Sequence, residues 1–134
     1  MMPQLFLHNA TRYDLWQDAS TSYQIQWQTL YEPYLVVSRK HAPKYHEAFL
    51  ERYHNKMSHA LEMAFAGFEF WVMPSSYVLH LPHVKHPESR KISKCAGEVL
   101  MDFVLYLRRK YGNIYDVSYE PNRPSNGWKF EKML

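Results

Sequence analysis

The stretch NKMSHALEMAFAG, residues 55–67, constrains the fold more than any other part of the chain. Met57, Ala60, Leu61, Ala64 and Phe65 fall at i, i+3, i+4, i+7 and i+8, the spacing of one buried helix face. Asn55 is a good N-cap residue, and Gly67 is a good helix stop. FEFWVM follows at once, aromatic and β-branched, and reads as a strand. A buried helix running directly into a strand belongs to a layered α/β structure.

The flanking segments extend this pattern. In SYQIQW, Tyr23, Ile25 and Trp27 alternate with glutamines, the period-2 signature of a strand with one wet face. YLVV, residues 34–37, reads as a short buried strand after Pro33. APKYHEAFLERY opens with Pro43 and repeats aromatics every four residues, which predicts a short helix. After the turn PSS, YVLHL reads as a strand paired with FEFWVM. PESRKISKCAGEVLMDFVLYLRRKYG reads as a long helix, with Ile92, Cys95, Val99, Phe103 and Leu107 along one face. Arg108, Arg109 and Lys110 suit its negative end, and Gly112 stops it. Residues 1–22 read as loop with a short helix near Tyr13–Gln17. Residues 113–134 read as a loose tail. The expected architecture is a single α/β domain over residues 1–134, a mixed sheet with flanking helices.

Composition narrows the function classes. The 134 residues are 46% hydrophobic and 16% aromatic, enough for a real core. A net charge of +3 with scattered basic residues argues against nucleic acid as partner. The single cysteine, Cys95, excludes an internal disulfide and a cysteine-based zinc site. The N-terminus lacks the basic and apolar regions of a signal peptide, and no run reaches the roughly 20 apolar residues of a membrane span. Asn9–Ala10–Thr11 fits a glycosylation acceptor pattern.

Candidate chemistry centres on YVLHLPHVKH, residues 77–86. Its histidines, His80, His83 and His86, repeat every third residue, but Pro82 rules out a helix interior. His80 is then expected at the end of a strand, facing the crevice where open α/β sheets bind ligands. It could serve as a metal ligand, or simply hydrogen-bond at the sheet edge. Asn55 and Lys56 open the central helix, where a cation beside a helix N-terminus could bind an anion or merely cap. His59 lies off the apolar stripe. His46, His54, Glu62 and Glu69 read as ordinary surface residues.

Taken in order, several pieces form a larger pattern. EPY at 32–34 precedes a short strand. Pro43–Lys44–Tyr45–His46, with Phe49 three residues on, precedes His54–Asn55–Lys56. Then come the helix, the strand FEF and the segment beginning at His80. This set resembles glycosyltransferase family 49, LARGE-type, over about residues 23–83, and the basic helix ending in RRKYG agrees. The resemblance implies the C-terminal half of a GT-A-like domain in a Golgi enzyme. It also implies UDP-glucuronate as donor, a glycan as acceptor and Mn²⁺ as cofactor. In that frame His80 corresponds to a metal ligand, and Asn55, Lys56 and His83 are substrate-binding candidates. Family members also carry a DxD motif, which Asp14, Asp18, Asp102 and Asp116 do not form. The expectation is a fragment, truncated product or half of a split enzyme, inactive alone and weak in Mn²⁺ binding. Two rivals stand beside it: a carbohydrate-binding or interaction module using exposed Tyr and Trp, and a small histidine metal-binding protein.

Overall fold

The computed structural model describes residues 5–28, 30–50, 54–79, 81, 89–119 and 128–132. A 3₁₀ turn at Leu5–Thr11 leads into α1 (Tyr13–Trp16) and β1 (Tyr23–Ile25). Then follow α2 (Asn55–Phe65), β2 (Phe70–Val72), α3 (Ser89–Tyr111), β3 (Tyr115–Tyr119) and β4 (Trp128–Lys132).

Helix α2 is the centre of the molecule. Every residue from Met57 to Phe65 is buried, not only its apolar stripe. Its start departs from expectation: His54, in the left-handed region at φ 62°, occupies the cap, and Asn55 is the first helical residue. Its end is a Schellman motif. Gly67, at φ +83°, donates to the Ala64 carbonyl, and Phe68 N–H reaches back to Met63.

Strand β2 pairs antiparallel with β1, not with the Tyr77 segment. The register explains the alternation in both strands. Ile25 faces Phe70 on the buried side, while Gln24 faces Trp71 on the exposed side. Both strand pairs are antiparallel, so the expected mixed sheet is not found among the described residues.

Four other expectations need correction. Tyr34–Val37 form no strand and are exposed, with Val36 at 84%. Tyr77–Leu79 likewise form no strand and are exposed. Strand-like composition needs a partner strand to become a ladder, and β1 has already taken β2. Residues 43–50 form turns rather than a helix, because the Pro43 carbonyl accepts from the His59 side chain and Phe49 packs on Phe103. Residues 115–132, read as loose, contain the β3–β4 antiparallel pair, from Tyr115↔Lys132 to Tyr119↔Trp128.

Helix α3 runs as expected, but its buried stripe is Ala96, Leu100, Phe103, Val104 and Leu107. Of the predicted stripe, Phe103 and Leu107 are buried and Val99 is half-buried, while Leu100 and Val104 join the buried face; the side chains of Ile92 and Cys95 lie outside those described. With α2, Ile25, Phe70 and Tyr115 it builds one core. Tyr115 joins β3 to that core, its ring 5.0 Å from Phe65 and 5.6 Å from Trp27.

Candidate functional site

The first turn of α2 brings polar and charged groups together with the loop 32–34. Lys56 projects from it toward the loop 32–34, where its Nζ lies 3.6 Å from Glu32 Oε2 and 4.6 Å from the Tyr34 ring centroid. Asn55 Oδ1 accepts from the Lys56 backbone N–H at 2.7 Å, and Ser58 Oγ donates to the Asn55 carbonyl at 2.9 Å. The loop reaches this corner because Leu30 and Tyr31 are buried and anchor it in the core. Thr11 Oγ1 lies 3.1 Å from Tyr31 Oη, which ties the N-terminal segment to the same loop.

Two histidines flank the pair. Burial lowers the His8 pKa, and the Lys56 charge lowers it further while Glu32 works against both. Burial also lowers His54, again opposed by Glu32. His54 is therefore half-buried rather than a surface residue. The corner offers a cation, a carboxylate, two imidazoles and an aromatic face, a set suited to a polar, partly anionic ligand.

Of the sequence candidates, Asn55 and Lys56 stand here together. His80 and His83 lie outside the described residues, as does His86. Glu32, Tyr34, His8 and His54 were not singled out as site residues by sequence reasoning. The signal for Glu32 and Tyr34 was present in EPY, which the fold brings against HNK.

The fold also places Glu62, His59 and His46. Glu62 is not a surface carboxylate. Its side chain is 4% exposed, and it accepts from Lys110 Nζ at 2.9 Å and Tyr111 Oη at 3.1 Å. This arrangement joins α2 to the end of α3 and leaves the carboxylate little access to substrate. His59 is buried against Pro43 and Tyr45. His46 packs among Phe49, Phe103 and Tyr106.

Among the described residues no three His, Cys, Asp or Glu side chains converge to hold a metal ion. Nor is any helix among those residues long and apolar enough to cross a membrane.

A family model described as glycosyl-transferase for dystroglycan matches residues 4–112, a span that includes the whole corner. Xylosyl- and glucuronyltransferase LARGE1 of Mus musculus is 32% identical over 111 residues, covering 78% of this chain and 15% of the relative. LARGE2 of the same species is 33% identical over 112 residues, covering 79% and 16%. LARGE2s of Gallus gallus is 34% identical over 111 residues, covering 78% and 15%. The chain spans about 15% of the length of these relatives. With EPY and HNK joined in space and the match running from the N-terminal segment to the end of α3, the chain belongs to glycosyltransferase family 49.

Proposed function

We propose that the chain is the C-terminal segment of a GT-A-type transferase that moves glucuronate from UDP-glucuronate to a glycan acceptor in the Golgi. The observation that carries this reading is the meeting of two family-like motifs at one corner, Glu32 and Tyr34 against Asn55 and Lys56. The relatives are named as xylosyl- and glucuronyltransferases, which supports a sugar donor and a sugar acceptor.

In this reading Lys56 supplies positive charge at the start of α2, where the helix end also favours anions. Such a group stabilises the negative charge of a diphosphate leaving group or of an acidic sugar. Glu32 holds the ammonium in place, and Asn55 orders the first turn through the Lys56 N–H. His8 and His54 stay largely uncharged at neutral pH because burial lowers both, so the corner keeps Lys56 as its main cation. By the family resemblance His80 would supply one imidazole to a Mn²⁺ site completed by the carboxylates of a DxD motif, and His83 would bind substrate. Without those carboxylates the isolated chain is expected to be inactive and to bind Mn²⁺ weakly.

The test is an enzyme completed by fusing residues 1–134 to a DxD-bearing half of the same family. Transfer of glucuronate should appear only when both parts are present. His80→Ala should lower Mn²⁺-dependent transfer more than about tenfold, or about 1.4 kcal/mol. His86→Ala should change it little. Equal, small effects of both substitutions would remove His80 from the metal site, and no transfer by the fused enzyme would remove the transferase reading.

A further inference from the structure

The motif Asn9–Ala10–Thr11 has no part in the Lys56 corner, yet the fold gives it a definite setting. It forms the last turn of the 3₁₀ segment Leu5–Thr11. Arg12 N–H donates to the Asn9 carbonyl at 3.1 Å and closes the turn. Arg12 itself lies in the left-handed region, at φ 56°. The three residues of the motif sit in three environments. Ala10 is 2% exposed and belongs to the core with Leu30 and Tyr31. Thr11 is half-buried, its Oγ1 3.1 Å from Tyr31 Oη, and its carbonyl accepts from Tyr23 Oη at 2.6 Å. Asn9 is exposed. The turn is thus anchored through Ala10 and Thr11, and the asparagine is left on the solvent side.

Two requirements for an N-linked glycan are met at once. The first is chemical: an asparagine, a residue other than proline, then a hydroxyl two positions on. No other asparagine of the 134 residues has a serine or threonine two positions on. The second is structural. An attached oligosaccharide is bulky and hydrophilic, so it must pass straight from the surface into water. A glycan on Asn9 does so without displacing a core side chain. In the folded chain the Thr11 hydroxyl is engaged by Tyr31, so it is open to a transferring enzyme only before the turn packs against residue 31. Transfer therefore belongs to the stage at which the chain is still being made.

We propose that Asn9 is an N-linked glycosylation site, modified before the Leu5–Thr11 segment docks on Tyr31. The donor is a polyprenyl-diphosphate oligosaccharide. A bond forms between Asn9 Nδ2 and C1 of the first sugar, the bond from C1 to the diphosphate oxygen breaks, the polyprenyl diphosphate leaves, and Nδ2 gives up one proton. The proposal rests on the Golgi reading, because a chain meets this donor only on its way into the secretory lumen.

The experiment is cell-free translation of residues 1–134 behind a cleavable secretion signal, with microsomes present, read on a denaturing gel, where association of the chain has no effect. Protection from added protease identifies the chains that have entered the lumen. The protected chain should run as one slower band that peptide-N-glycosidase F collapses. Asn9→Gln and Thr11→Ala should abolish that band, and Thr11→Ser should keep it. Tyr31→Phe breaks the same folded-state hydrogen bond as Thr11→Ala but leaves the motif whole, so it should keep the band. A protected chain with no slower band, or a band that survives Asn9→Gln, would overturn the site. Loss of the band in Tyr31→Phe as well as Thr11→Ala would overturn modification before docking. The natural protein isolated from its own cells is a separate readout, by mass spectrometry of the peptide that carries residue 9. Conversion of Asn9 to aspartate by the glycosidase there supports both readings. An unmodified Asn9 in the natural protein, beside a modified signal-led chain, would overturn the Golgi reading and uphold the site.

Discussion

Removing the Lys110 ammonium would leave the buried Glu62 carboxylate with Tyr111 as its donor. A buried ionised acceptor that loses its cation is costly, but Lys110 is 42% exposed and water screens the pair. Lys110→Met is therefore expected to cost about 1–2 kcal/mol, read as a lower midpoint in urea with an unchanged slope. The Glu62 hydrogen bond, then those of Tyr111 and Tyr106, raise the Lys110 pKa above the ordinary lysine range. A raised folded-state pKa means this stabilisation is complete at neutral pH and fails only in strongly alkaline solution. His8 and His54 act in the opposite direction. Both are lowered on folding, so the unfolded chain binds more protons just below the ordinary value of 6.5. Stability should fall as pH drops from 6.5 through the lower folded values. His54→Asn, which tolerates the left-handed backbone, should flatten that slope in thermal melts recorded across pH. Glu62 was hard to read from sequence because its burial depends on the end of α3, which packs over it, not on its own neighbours in the chain.

Element by element, legibility follows periodicity and partners. Helices α2 and α3 and strands β1 and β2 were predicted because each carries its own period and its own stops. The predicted partner of β2, Tyr77–Leu79, was the wrong one, since Tyr23–Ile25 offers similar strand chemistry and only the fold selects between them. Tyr34–Val37 look like a strand by composition yet form none, for want of a partner among the described residues. In the C-terminal segment, Pro121, Pro124 and Gly127 suggested a loose tail, but they fall between β3 and β4. Stability should concentrate in α2. Leu61→Ala removes a side chain that is 1% exposed in the middle of the core and should cost about 2–5 kcal/mol. Gly67→Ala meets no steric clash but forces a side chain into φ +83°, and should cost about 1 kcal/mol. Chemical denaturation of both variants checks the ranking.

For the whole molecule, the exposed apolar residues are the dominant feature. Val36, Leu50, Tyr77, Leu79 and Leu81 all stand well out of the core. Such surface in a chain spanning about 15% of its relatives' length fits a part that packs against more polypeptide. Residues 1–134 alone are expected to be poorly soluble and to associate, as light scattering would show. A monomeric, cooperatively melting preparation would contradict the fragment reading. The candidate site was half legible. Asn55 and Lys56 were found because a cation at a helix start is a recognisable pattern. Glu32 and Tyr34 lie more than twenty residues earlier, and only folding brings them there. Within that corner Lys56 is the charged residue to test. The direct measurement is the kcat/KM of Lys56→Met for UDP-glucuronate and for the acceptor in the fused enzyme, alongside its melting temperature. Lys56→Met should lower it at least about tenfold for one of the two substrates with the melting temperature unchanged. An unchanged kcat/KM for both substrates would show that the pairing of Lys56 with Glu32 and Tyr34 is structural and that substrate binds elsewhere.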